Sequence, residues 1–402
     1  MIALVLAVGC MAQVPAAAPE LPLGWQRTRE VVLSDAQVGG FAKQLGVELA
    51  GVVNEHYDVG GSALQVNRLT AKDEAGALAL VAKLGANGRE RFIARRGNEV
   101  VEFAKMNVLA ASALRSGLGF EDEAALTWRA TFELVCVARG DDMEGNEVFN
   151  LCLGREEHAT PERVDARIAE LTSDWTFGTT LRLAAPTDGH TLEYTFEPEP
   201  LSRKREGDTL VFEFPELPRL HGLPFVRVVA TTTAAPWYAP RPCATFDTSA
   251  FTAATSAWPS EHETVRALVA KLVTHEMSSR EKLHAVFGHV AREVRYGGDV
   301  MGSRYGTLQV LAQGFGRCWD KSDVLVTLLR AAGLPAREVA GWLLAPPTGH
   351  VWVEVFLDGE GWLALDATCT WLGTSRDYVP WLRTDDGHMP VVYVSLPVFE
   401  AL

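Results

Sequence analysis

The apolar positions of this chain change period along its length, and the period locates the elements. Val351, Val353, Val355 and Leu357 alternate with His350, Trp352, Glu354 and Phe356, the two-residue repeat of a strand with unlike faces. Asp358-Gly359-Glu360-Gly361 has turn composition, and Trp362-Leu363-Ala364-Leu365-Asp366 reads as the returning strand. Upstream, Val324, Leu325, Leu328, Leu329 and Ala332 fall on one face of a helix. Gly333 is placed to end that helix and Pro335 to block its continuation. Gly314 and Gly316 loosen the chain just before it, so Cys318 is expected in or just ahead of the first turn.

Earlier segments show weaker patterns. Thr70 reads as an N-cap for a small apolar helix over Ala75 to Leu84, with Asp73 and Glu74 in its first turn. Strand-like runs follow at Arg91 to Arg95 and Glu99 to Ala104. Leu126 to Ala138 and Glu147 to Leu153 suggest a long hairpin about Gly140 to Gly145. A helix is expected over Pro161 to Leu171, then strands at Thr191 to Phe196, Thr209 to Phe214 and Phe225 to Thr231. Pro and Ala accumulate between Ala234 and Pro259, the clearest linker signal. Helices are expected over Glu261 to His275 and Ser279 to Arg295, and a last strand over Val391 to Phe399. The resulting division is a signal-like leader (1–21), an α+β unit of unassigned role (22–155), a β-rich, sandwich-like unit (156–245) and a C-terminal α+β unit (259–402).

Composition narrows the function classes. A chain of 402 residues with 48% hydrophobic content can build two or three cored domains. A formal charge of −14 argues against nucleic-acid binding, which calls for basic patches, and disfavours anionic membrane surfaces. No apolar run beyond the N-terminus reaches membrane-spanning length. Met1 to Gly9 resembles the apolar core of a secretory signal, although no Lys or Arg precedes it. Ala7-Val8-Gly9-Cys10 fits a lipoprotein box with Cys10 lipidated; cleavage after Ala12 is the alternative. Export from the cytoplasm is the expectation: periplasmic, lipid-anchored or secreted. In an oxidising compartment Cys136 and Cys152 could join across the expected hairpin, or remain two buried thiols. Spaced zinc or redox cysteine pairs, H-E-x-x-H, a P-loop and G-x-S-x-G are all missing, so neither cofactor nor metal is expected.

The candidate chemistry lies in the order Cys318, His350, Asp366. A cysteine at a helix start sits among unpartnered backbone N–H groups and the positive helix end, both of which favour thiolate. His350 would take and return a proton, and Asp366 would fix the imidazole tautomer. The two belong to neighbouring antiparallel strands, so sharing a face requires paired residue numbers that sum to an even value. That demands an odd-length loop or a bulge near Gly359. The Cys318 N–H is one oxyanion donor; Tyr296 and Tyr305, followed by Gln309 and Gln313, are candidates for the second.

At these residues the chain resembles the transglutaminase-like superfamily, a papain-like cysteine fold, from roughly Glu281 to Thr368. The resemblance is carried by Val294-Arg295-Tyr296 at a helix end, Leu311 to Lys321 and Leu328 to Arg337. It continues through His350-Val351-Trp352-Val353-Glu354-Val355 and Gly361 to Thr368. It implies catalytic Cys318, His350 and Asp366, and a core of helices packed on an antiparallel sheet. Arg317 departs from the Val, Tyr or Asp that often precedes the cysteine, and the segment between Cys318 and His350 is short. The implied activity is acyl transfer from a protein or peptide amide through a Cys318 thioester. As in bacterial members of the superfamily, hydrolysis is favoured over cross-linking to an amine. A non-catalytic scaffold with the same core, and a glycan-releasing amidase like peptide N-glycanase, are the competing readings.

Overall fold

The computed structural model describes residues 25–402 except 60–61, 87–88, 90–91, 105, 107–110, 112–113, 116–117, 119, 121–125, 141, 155–159, 187–189, 235–236, 239–247, 299–303, 345–346, 370, 373, 376–377 and 390–391. The leader with Cys10 and residues 235–236 and 239–247 of the Pro/Ala linker therefore lie outside the described residues. The architecture is α+β, with antiparallel sheets in three successive layers of the chain.

The first layer comprises β1 (Trp25–Val32), α1 (Asp35–Leu45), β2 (Leu49–Val59), β3 (Ser62–Ala71), α2 (Glu74–Gly85), β4 (Ile93–Arg96) and β5 (Glu99–Ala104). Its strands run in the order β1-β2-β3-β5-β4, each pair antiparallel. Alternation divides its side chains between two cores. Val52, Leu69 and Val100 meet Val38, Ala77 and Leu80 of the helices. Tyr57, Val66, Val101 and Phe103 enter a second cluster, against which Cys369 packs from the C-terminal part of the chain. The cap of α2 is Asp73, whose Oδ1 accepts from Gly76 N–H at 2.7 Å. Thr70 instead lies within β3, where it pairs with Gly51 and Glu99, so it cannot be the cap.

The second layer comprises β6 (Leu126–Val135), α3 (Asp142–Cys152), α4 (Pro161–Leu171), β7 (Thr180–Ala184), β8 (His190–Glu197), β9 (Ser202–Glu206), β10 (Thr209–Glu213) and β11 (Leu223–Ala234). The expected hairpin of Leu126 to Ala138 with Glu147 to Leu153 does not form. Val148, Phe149, Leu151 and Cys152 repeat at helical spacing, and Val148 and Leu151 pack in α3 against Val164 and Ile168 of α4. Strand β6 lies before residue 155 and yet pairs with β11 along ten residues, Leu126 to Val135. With Cys152 ending a helix rather than facing Cys136 across a ladder, both thiols are free, so no disulfide joins them. The sheet β8-β11-β6 faces a three-stranded sheet, β9-β10-β7. Phe132, Leu134, Tyr194, Phe196, Val226 and Val228 from one sheet meet Leu181, Leu183, Leu210 and Phe212 from the other. This is sandwich packing by alternate residues.

The third layer holds α5 (Glu263–Leu272), α6 (Ser279–Glu293), α7 (Thr307–Gln313), α8 (Cys318–Ala331), β12 (Ala336–Leu344), β13 (Pro347–Leu357), β14 (Gly361–Asp366), β15 (Tyr378–Thr384) and finally β16 (Val398–Ala401). The sheet order is Trp371–Leu372, β14, β13, β12, β15. Helix α8 is the hub. Val324, Leu325, Leu328 and Leu329 are fully buried among α5, α6 and the odd-numbered residues Val353, Val355, Leu363 and Leu365. It ends in a Schellman arrangement, with Leu334 N–H donating to Leu329 C=O at 2.9 Å, Gly333 N–H to Arg330 C=O at 3.0 Å, and Gly333 at φ +80°. Further along the same face of the sheet, Trp342, Val379 and Trp381 join the sandwich core. The last strand forms only at β16, not over Val391 to Phe399, and it pairs with β6 rather than with the sheet of its own layer. Among the described residues no helix is long and apolar enough to cross a membrane.

Candidate active site

Cys318 is the first residue of α8. Its position is built from the turn before it. Gly316 pairs in parallel with Tyr296, and a side chain at Gly316 would bring its Cβ to 2.5 Å from Asp320 Cβ. Asp320 thus occupies the space that the glycine leaves. Its Oδ2 accepts from Arg317 N–H at 2.9 Å and its Oδ1 from Tyr305 N–H at 2.8 Å, capping the helix. Lys321 ties the same turn to the end of α6 by donating from Nζ to Val294 C=O at 2.6 Å. One turn on, buried Asp323 accepts from Trp258 Nε1 at 2.8 Å and from Arg304 Nε at 2.7 Å. Polar contacts therefore fix the first two turns, and apolar packing with the buried hydrogen bonds of Thr327 and Arg330 holds the remainder.

His350 and Asp366 meet through the register of β13 and β14. The ladder runs from Val353 with Leu365 to Leu357 with Gly361, leaving the three-residue turn Asp358-Gly359-Glu360. The turn closes with Glu360 N–H donating to Leu357 C=O at 3.0 Å, and Gly359 and Gly361 take φ +80° and +88°, which favour glycine. The loop is odd in length, as the parity argument requires, so His350 and Asp366 share a face. One more step along the register sets Asp366 opposite Trp352, and His350 is its diagonal neighbour. His350 Nε2 and Asp366 Oδ2 are 2.8 Å apart, with both residues buried.

The sulfur of Cys318 shares a hydrogen bond with the His350 ring and accepts one from Val351 N–H. With Nε2 turned to Asp366, Nδ1 is the nitrogen left for the thiol. Burial alone would raise the Cys318 pKa, but the imidazole contact, its charge and the Val351 N–H together hold it below the ordinary thiol value. Burial would likewise lower His350, but the Asp366 charge and the hydrogen bonds to Asp366, Cys318 and Cys369 raise it well above the ordinary imidazole value. Asp366 is shifted far down: burial opposes its charge, but His350, the Tyr378 hydroxyl and the Cys369 N–H prevail. The opposed shifts of sulfur and imidazole favour a thiolate–imidazolium pair.

Two further residues belong to this cluster and escaped the sequence reading. Tyr378, on β15, donates from its hydroxyl to Asp366 Oδ2 at 2.7 Å. Its ring stands edge-on to Trp352 at 5.3 Å and to His350 at 6.1 Å. Cys369 follows β14. Its N–H donates to Asp366 Oδ1 at 3.1 Å, beside that of Thr368 at 2.8 Å. Burial, followed by the Asp366 charge, pushes its thiol up to about 11. Neither residue stands at a spacing from Cys318 or His350 that marks it in the sequence; only the sheet order brings β15 and the end of β14 to the same place.

The oxyanion candidates separate. Tyr296 pairs with Gly316, two residues before Cys318; its hydroxyl pKa is raised by burial and then by the Cys318 charge, and the Arg317 guanidinium lies 5.8 Å from its ring centre. Tyr305 packs edge-on to Phe315 at 6.1 Å and lines a cavity of about 680 Å³ with Arg304, Asp386 and His388. That cavity's lining contains none of Cys318, His350 and Asp366. Gln313 Nε2 donates to Phe315 C=O at 2.8 Å, and Gln309 contacts Gln313 at 3.4 Å. Geometry thus keeps Tyr296 near the sulfur and directs the other three elsewhere.

Residues 266–367 match the family model of the transglutaminase-like superfamily. The C-terminal unit is therefore a transglutaminase-like core, a span that reaches from α5 to just beyond Asp366. Among solved structures the chain is similar to a candidate cysteine protease from Cytophaga hutchinsonii, at 14% identity over 70% of this chain and 90% of that one, with a TM-score of 0.42. It is also similar to the periplasmic domain of TgpA from Pseudomonas aeruginosa, at 15% identity over 62% of this chain and 90% of that one, with a TM-score of 0.31. No curated protein sequence matches it significantly.

Proposed function

We propose that the chain is an exported cysteine enzyme that transfers acyl groups from protein or peptide amides through a thioester on Cys318, with water as the usual acceptor. The observation that carries this reading is the chain of contacts from the sulfur of partly exposed Cys318 through the buried His350 ring to Asp366. In the reaction the thiolate attacks the amide carbon and the imidazolium protonates the departing amine, leaving a thioester and neutral His350. His350 then takes a proton from water as its oxygen attacks the thioester, and returns it to sulfur as the acid leaves. Asp366 keeps Nε2 protonated, so that Nδ1 handles both transfers. The Cys318 N–H, at the start of α8, is one donor to the oxyanion, and Tyr296 is better placed than Tyr305 for the other. A lysine amine replacing water would give a cross-link instead.

The site reading is tested by thiol labelling. Cys318 should react with iodoacetamide faster than a free cysteine at the same pH, because its lowered pKa leaves a larger thiolate fraction. In His350→Ala the sulfur is still desolvated but the imidazole is gone, so that advantage should disappear. Labelling no faster than a free cysteine would favour the non-catalytic scaffold. The acceptor is tested by incubating a peptide library and a primary amine with the protein and with Cys318→Ala. Cleavage, deamidation and amine incorporation leave different masses, and no mass change in any channel would refute the enzyme reading. Export is tested by sequencing the N-terminus of the mature protein and by lipid analysis at Cys10.

A further inference from the structure

Cys369, His350 and Asp366 form a donor set that the proposed reaction does not use as a set. Their candidate ligand atoms all lie within 4.8 Å of one another. The three come from separate positions on one sheet: His350 on β13, Asp366 at the end of β14 and Cys369 three residues beyond. Cys369 is only partly buried and borders the first layer's core, whereas the other two are buried. We propose that these residues bind a borderline-soft divalent cation of the zinc class, through Cys369 Sγ, His350 Nε2 and one carboxylate oxygen of Asp366.

The donor chemistry selects the ion. Thiolate, imidazole and carboxylate together suit zinc, while an all-oxygen set would suit calcium or magnesium. Zinc bonds of about 2.0–2.3 Å at tetrahedral angles separate neighbouring donors by roughly 3.3–3.8 Å. The 2.8 Å between His350 Nε2 and Asp366 Oδ2 needs a small opening, and the remaining pairs, all within 4.8 Å, need at most a modest closure. Asp366 stays oriented while its partner changes, because Oδ1 is held by the N–H groups of Thr368 and Cys369, and Oδ2 retains the Tyr378 hydroxyl. Binding releases the Cys369 thiol proton and the Nε2 proton to solvent, and a water completes the fourth position. The ion then replaces the Nε2–H···Asp366 hydrogen bond. On the catalytic reading given above, His350 loses its orienting partner and gains a dication, so bound metal inhibits the reaction reversibly. The inhibition rests on that reading; the binding does not.

Cobalt serves as the probe, because a cobalt–thiolate bond has a near-ultraviolet charge-transfer band that activity does not affect. Full-length protein should take up one Co²⁺ with that band, and Zn²⁺ should displace it. Cys369→Ala should remove the band and weaken Zn²⁺ more than about 100-fold in competition with a chromophoric chelator, beyond the effect usual for an outer-shell partner. Cys318→Ala should keep the band. Cys369→Ser, which preserves the side-chain volume, should repeat the Cys369→Ala result with unchanged near-ultraviolet circular dichroism, separating ligand loss from misfolding. A band that survives in both Cys369 variants, a band lost in Cys318→Ala, or no cobalt uptake would overturn the proposal. If activity is absent but the Cys369-dependent band is present, the metal site stands and only the catalytic reading fails.

Discussion

Replacing Tyr378 with Phe removes one hydroxyl and leaves the packing intact. The ring keeps its edge contacts with Trp352 and His350, and the residue is 1% exposed. What is lost is a 2.7 Å hydrogen bond to the Asp366 carboxylate. A hydrogen bond to a charged group contributes about 1.5–3 kcal/mol. Asp366 keeps three donors, from His350, Thr368 and Cys369, so the lower end, about 1.5 kcal/mol, is expected. The pH dependence follows from the direction of the Asp366 shift. A carboxylate with a depressed folded pKa contributes stability that is fully present above the unfolded value, near 4, and is lost as pH falls through the folded value. The cost of Tyr378→Phe should therefore be equal at pH 7 and pH 5, persist below the ordinary carboxylate range, and shrink only as pH falls through the depressed folded value. Urea denaturation followed by tryptophan fluorescence measures it. The decisive control is Asp366→Asn, in which the charge is absent. If Tyr378→Phe costs as much in that background as in the wild type, the hydroxyl does not act through the carboxylate, and the positioning role is wrong.

Other outcomes follow from the same packing. Gly341→Ala would place a Cβ 2.3 Å from both Trp352 Cη2 and Val379 C=O, so a loss of about 3 kcal/mol is expected in urea denaturation. Trp352 stacks on His350 at 6.3 Å, so the labelling rate of Cys318 should fall as well. Arg304→Ala leaves Asp323 buried without its principal counter-charge, and should cost about 3–5 kcal/mol. Cys136 and Cys152 should both react with a thiol reagent in unreduced, denatured protein, and a reductant should leave the melting temperature unchanged.

What could be read from the sequence was local. The ends of α8 follow from Gly316, Gly333 and Pro335, because each of these residues restricts the backbone directly. The His350–Asp366 pairing followed from parity, which depends only on loop length. Residues 142–152 were misread because a short run such as Val148-Phe149-Asn150-Leu151-Cys152 fits either period, and its packing against α4 settles which one forms. Tyr378 and Cys369 were out of reach for another reason. Their approach to Asp366 depends on β15 lying beside β12 and on the path of the chain after β14, and strand order is a property of the folded sheet. The partner of β6 was equally hidden, because nothing local to Leu126 to Val135 points to residues 398–401.

That last pairing bears on how the molecule is made. Strand β16 follows the transglutaminase-like core in the chain yet completes a sheet of the sandwich, where Glu400 reaches Arg129, 271 residues earlier. During synthesis β6 can pair with β11 early, but its other edge stays open until residues 398–401 have emerged. An open edge invites pairing with other chains. Phe399, carried by β16, also packs edge-on to Trp342 at 5.6 Å, on the reverse side of the sheet that bears His350. The final segment therefore acts as a clasp in time as well as in space. Until it docks, the nascent chain carries an exposed sheet edge and an unfinished wall behind the candidate catalytic histidine.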